Sequence, residues 1–233
     1  MQRKIMGFVA CMLATGVLPS PGFAAPSAQQ VSDALKKALK KSISSPGGNM
    51  VIKITPSKKT AQGYFAEVYV AARPAKIKKR KFSEFLMRAK NVRIDVARLM
   101  SKGRIKTLSS KTTLRAVVTE AELTQALAKG QDSSDKGLKV KFAGNGNVRV
   151  TGKWKWSWFS GPMDAVGKVK LGPNYTVVAD IATLKLNGKT VPANVKKKFQ
   201  EKINPLLDYE DLPFRPPFKT LKFSGSKAVI TAG

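Results

Sequence analysis

The sequence predicts an α+β fold in which a long antiparallel sheet packs against a few helices. Two observations point there. Apolar residues recur at every second position along much of the chain, most clearly at Leu138, Val140 and Phe142, then at Val148 and Val150, with Gly144-Asn145-Gly146-Asn147 as the turn between the two runs. Helical periodicity is confined to a few short stretches, so the strands cannot all be joined by crossover helices. At 233 residues and 42% hydrophobic, the chain can bury a core of ordinary domain size despite its charge.

The first 24 residues read as a secretory signal peptide. Arg3 and Lys4 precede an apolar stretch from Ile5 to Leu18, and Pro19, Pro21 and small residues follow. Cleavage after Ala24 would place Gly22 and Ala24 at the two positions that demand small side chains. Two alternatives stay open: a retained anchor, for which the apolar run is short, and lipidation of Cys11, whose preceding residues Phe8, Val9 and Ala10 fit poorly. Residues 25–233 then form one domain without cysteine, and the expected location is secreted or periplasmic.

Residues 27–43 form an amphipathic helix. Ser27 and Gln30 make a capping box, Val31, Leu35, Ala38, Leu39 and Ile43 share one face, and Lys36, Lys37, Lys40 and Lys41 take the other. Packing against a sheet and lying on a membrane both suit this helix, although it lacks the Trp or Phe usual on an inserted face. Pro46-Gly47-Gly48 ends it. Met50 to Ala71 reads as a hairpin. The basic run Lys76, Lys78, Lys79, Arg80 and Lys81 then leads into Phe82, Phe85, Leu86 and Met87, which fit a short helix. Such a cluster can dock on acidic lipid at roughly 1 kcal/mol per cation, or stand as a solvated loop.

Val92, Ile94 and Val96 alternate as a strand, and Leu114 to Val118 gives another. Thr119 to Glu122 is a capping box opening a helix through Leu127. After the hairpin at 138–158 come strands at Val166 to Leu171, Tyr175 to Ile181 and Thr183 to Leu186. Ala193 to Ile203 is a helix begun at Pro192, and the last strands are Lys219 to Phe223 and Ala228 to Thr231.

Several chemistries are excluded by composition. There is no histidine and one cysteine, so neither a Ser-His-Asp triad nor a His or thiolate metal cage can be built, and no metal or other cofactor is expected. Of 43 cations 33 are Lys, and the formal charge is +29 against only 14 acids. Flexible, hydrated Lys charges suit diffuse attraction to an anionic surface better than bidentate reading of bases, and an exported protein meets little nucleic acid. Asp208, Glu210 and Asp211 are the one acidic cluster, placed in a loop where solvated acids meet lysines, so no catalytic residue is assigned.

All three tryptophans lie in Lys153-Trp154-Lys155-Trp156-Ser157-Trp158. In a strand, Trp154, Trp156 and Trp158 share a face, where they can fill a core, line an apolar cavity or stack on sugars or bases. With Phe142, Val150, Leu184 and Leu186 they make the candidate lipid-binding set. Gly152 in the same strand permits a bulge or the close approach of a ligand.

The order of elements from about residue 80 onward resembles the LmeA family of phospholipid-binding proteins, related to the tubular lipid-binding (TULIP) superfamily. The residues carrying the likeness are Val118-Thr119-Glu120-Ala121-Glu122-Leu123, the Asn187-Gly188 turn before Val191-Pro192, and Ile203-Asn204-Pro205-Leu206-Leu207-Asp208. Leu212-Pro213-Phe214 and Ala228-Val229-Ile230-Thr231 complete the set. The resemblance implies a curved half-barrel sheet wrapped around a helix, an apolar groove for a phospholipid or other acyl lipid, and no enzymatic activity. The basic surface would dock on an anionic membrane. An envelope module gripping acidic polysaccharide or lipopolysaccharide is the alternative.

Overall fold

The computed structural model describes residues 25–78, 80–128, 137–156, 159–173, 175–209 and 212–233. Helix α1 (Ala28–Ser42) begins at the expected capping box: Ser27 Oγ accepts from the Gln30 N–H at 3.2 Å, and Gln30 Oε1 accepts from the Ser27 N–H at 2.8 Å. Its apolar face is buried and its lysines are exposed, so the helix packs on a sheet.

The chain continues through β1 (Ile43–Ser44), β2 (Asn49–Pro56), β3 (Tyr64–Arg73), β4 (Ala75–Ile77), β5 (Arg80–Phe82) and β6 (Glu84–Ile94). Phe85 to Met87 belong to strand β6, not to a short helix. Phe85, Met87 and Ala89 are buried on one face while Arg88 and Lys90 are exposed on the other, and Leu86, half-buried on the outer face, fills the gap that made the run look helical. Likewise the strand ends at Ile94 instead of reaching Val96. Asp95 accepts from the Arg98 N–H at 2.9 Å and caps α2 (Val96–Lys102).

Next come β7 (Thr107–Thr119), α3 (Glu120–Ala128), β8 (Lys139–Phe142), β9 (Asn147–Trp156), β10 (Phe159–Leu171) and β11 (Thr176–Leu186). The two strands expected between Tyr175 and Leu186 are one. Val166 pairs with Thr183 and Gly167 with Ile181, so Ala182 bulges out and breaks the alternation. Finally come β12 (Lys189–Thr190), α4 (Ala193–Ile203), β13 (Leu207–Asp208), β14 (Phe218–Ser224) and β15 (Lys227–Ala232).

These strands make two six-stranded sheets. The first has the order β14-β15-β7-β6-β3-β2, and the second β12-β11-β10-β9-β8 with β13 on β11; β1-β4-β5 form a small third sheet. The pairings within them are antiparallel. The fold is therefore α+β, and the second sheet curls as a half-barrel.

Two apolar clusters result. The larger lies between α1 and the inner face of the first sheet, and takes in Tyr209, Leu212 and Phe214 after β13. The smaller lies inside the second sheet, closed by Phe199 of α4.

Candidate functional site

Strand alternation sends Val150 and Trp154 of β9, Met163 and Ala165 of β10, and Ile181 of β11 to the concave face of the second sheet. Leu123 and Leu127 of α3 approach that face from one side, and Phe199 and Ile203 of α4 from the other. Together they wall a half-open crevice with a central void of about 50 Å³. That is room for one or two water molecules, so an acyl chain enters only if the walls part.

The two helices are fastened to opposite edges of the sheet by side chains that replace missing strands. At the β11 edge, Asn204 Oδ1 accepts from the Ala179 N–H at 2.7 Å while its Nδ2 donates to the Ala179 carbonyl at 2.8 Å. Gln200 Oε1 accepts from the Ile181 N–H at 2.9 Å, and Lys196 Nζ donates to the Ala182 carbonyl at 3.1 Å. At the β8 edge, Glu120 Oε1 accepts from the Phe142 N–H at 2.8 Å and Thr124 Oγ1 from the Val140 N–H at 3.1 Å. Backbone groups that would otherwise be orphaned at two open edges are thereby satisfied. The Phe142 N–H, with Lys141 beside it, holds the Glu120 carboxyl below its usual range.

The helices are not held equally. Phe199 of α4 is fully buried against Trp154, edge to face at 5.2 Å between ring centroids. The described side chains of α3 are all half-buried or exposed, Leu123 and Leu127 included.

Of the residues singled out from sequence, Trp154 and Val150 line the crevice. Leu184 and Leu186 are buried in the same cluster beside it, and Phe142 sits apart, edge-on to Phe223 at 5.1 Å. Strand β9 ends at Trp156, whose backbone pairs with Phe159, so the alternation does not extend along one strand through Trp158. Trp158 and the Trp156 side chain lie outside the described residues. The lining residues Leu127, Met163, Phe199 and Ile203 were missed as a group. The helical spacing of Leu127, Phe199 and Ile203 was visible in the sequence and Met163 precedes the strand expected from Val166, but nothing local said that α3 and α4 face the same strands.

Gly152 has φ +139°, and a Cβ there would lie 2.3 Å from the Gly137 carbonyl oxygen. The close approach that this glycine allows is thus the backbone of the segment leading into β8.

Lys76 faces Lys81 across the β4–β5 hairpin and both are exposed; Lys78 is exposed and Arg80 half-buried at its turn, while Lys79 lies outside the described residues. Lys81 Nζ donates to Gln125 Oε1 of α3 at 3.4 Å, so the cationic hairpin adjoins one wall of the crevice. The outer face of the second sheet carries Lys139, Lys141, Arg149, Lys153 and Lys170 among others. On it, Arg149 lowers the Asp164 carboxyl and Lys170 the Asp180 carboxyl through direct hydrogen bonds.

Asp208 is exposed, and Glu210 and Asp211 lie outside the described residues. Among the described residues no group of three His, Cys, Asp or Glu could hold a metal, and no helix is long and apolar enough to cross a membrane.

The family model described as LmeA-like phospholipid-binding matches residues 22–216. No curated protein and no solved structure matches.

Proposed function

The chain belongs to the LmeA-like phospholipid-binding family, and on that premise we propose that it takes an acyl chain of a phospholipid into the crevice between α3, α4 and the second sheet. The observation carrying this reading is the crevice wall, whose side chains come from five elements and from Leu206 beyond α4, and are apolar apart from Trp154 and Lys168. Strand alternation assigns Lys168 to the exposed outer face, which leaves an almost wholly hydrocarbon interior.

A sixteen-carbon tail in water costs about 13 kcal/mol, at roughly 0.8 kcal/mol per methylene. A tail moved from bilayer to crevice stays buried at both ends of the transfer, so exchange is close to balanced, as carrying requires. Room is made by α3, the helix with no fully buried side chain among those described, which separates from α4 at the loss of the hydrogen bonds to Glu120 and Thr124. The hairpin cations Lys76, Lys78, Lys79, Arg80 and Lys81 hold the protein at an anionic leaflet while this happens, and the N-terminal 24 residues direct it to the periplasm or the exterior.

Mass spectrometry of lipids co-purified from the native host tests the reading, together with uptake of a fluorescent phospholipid from vesicles. We expect glycerophospholipid near one per chain. Recovery of no lipid, with no uptake, defeats the proposal. A second reading rests on the cationic outer face of the second sheet, which suits an acidic envelope polymer, and dependence on salt separates the two.

A further inference from the structure

We propose that the indole N–H of Trp154 is the polar contact of the crevice and donates to an ester carbonyl oxygen of the bound glycerolipid, so that the glyceryl end lies at Trp154 and the tail runs toward Val169. The inference rests on the lipid-binding reading above and adds to it the ligand's orientation and linkage chemistry.

Trp154 is 4% exposed and lines the crevice, and among the described residues none accepts from its Nε1–H. Buried indole donors ordinarily find a partner, because leaving one unmade costs the desolvation of the N–H. The second such group, the Tyr209 hydroxyl, sits in the other apolar cluster against Phe82 and Phe218, so it cannot serve this cavity. The other described inward-facing lining side chains are hydrocarbon or thioether.

The position of Trp154 then fixes direction. It pairs with Gly161 at one end of β10, and the lining continues along that strand through Met163 and Ala165 to Val169. At about 3.4 Å per residue, Gly161 to Val169 spans about 27 Å, which is long enough for an extended acyl chain. A donor at the Trp154 end and hydrocarbon beyond it match the carbonyl of an acyl ester and its tail.

The test uses the full chain and two phosphatidylglycerols of equal chain length, one with ester and one with ether linkages. Wild type should bind the ester lipid about three- to tenfold more tightly, the range expected for one neutral hydrogen bond. Trp154→Phe should bind both at the ether level. Equal binding of both lipids by wild type overturns the proposal without needing a variant to fold. Because all three tryptophans lie between positions 154 and 158, fluorescence quenching reads the orientation. Bromines near the ester should quench more than bromines near the methyl end, and the reverse ranking overturns the stated direction. Failure of both lipids to bind defeats the lipid-binding reading itself, whereas binding without ester preference defeats only the contact at Trp154.

Discussion

At Gly152 one missing methyl group decides how the β8–β9 hairpin closes. The residue combines φ +139° with backbone atoms of Gly137 and Leu138 within 3 Å of where a Cβ would stand. Neither the dihedral nor the backbone neighbours can relax as the tip of a flexible side chain does. Gly152→Ala should therefore lower stability by about 2 kcal/mol or more, read as a shift in the urea midpoint. A variant as stable as the parent would mean that the strand does not pass this close to residue 137. Trp154, two positions on, has the opposite role, since its ring fills space and its N–H meets no acceptor among the described residues.

Among the elements, α3 and α4 do the work of edge strands with side-chain groups, and the difference between them sets which can move. Helix α4 is tied by both groups of the Asn204 amide, by Gln200 and by Lys196, and is anchored by Phe199. Helix α3 depends on Thr124 and on the carboxylate of Glu120, which is stabilised in its charged form in the folded state. A folded value below the unfolded one means that this contribution is present above the ordinary glutamate range of about 4.5 and disappears as pH falls through the depressed folded value. Glu120→Gln keeps an acceptor for the Phe142 N–H but loses the charge beside Lys141. The variant should be less stable than wild type at pH 7, and the gap should narrow toward pH 3 in denaturant titrations. A gap independent of pH would remove the carboxylate from the account of how α3 is held.

For the whole molecule, charge and burial are separated in space, and the proposed function assigns a binding step to each. Exposed cations attract an anionic leaflet through a screened field, with a Debye length of about 10 Å at 0.1 M salt and about 3 Å at 1 M. Hydrocarbon inside the second sheet is indifferent to salt. Binding to anionic vesicles should thus fall steeply as salt rises, while lipid already carried stays bound. Loss of carried lipid with salt would favour the acidic-polymer reading. Reversing Lys76 and Lys81 to Glu should weaken vesicle binding several-fold. The same change at Arg98 and Lys102 of α2 should have little effect, because β6 separates the two regions by about 35 Å along eleven residues.

Much of the fold was legible because its signals are local. The Ser27–Gln30 box, the Thr119–Glu122 box and Pro192 mark helix starts with groups that hydrogen-bond within three residues or fix one dihedral, and the turn at Gly144–Asn147 lies between two alternating runs. The reading failed where a local pattern was ambiguous. Phe85-Leu86-Met87 is apolar in succession because both faces of that strand carry apolar residues, and the bulge at Ala182 interrupts the period-two repeat. Trp154 and Val150 could be proposed for the site from alternation alone, but Leu127, Phe199 and Ile203 could not. Sequence by itself determined the α+β class, the cationic exterior and the absence of histidine chemistry, since these follow from composition and near-neighbour spacing. Only the tertiary structure decided that two helices far apart in the chain close opposite edges of one sheet around an apolar crevice. That arrangement depends on which unpaired backbone groups each helix can reach, and distance along the chain carries no record of it.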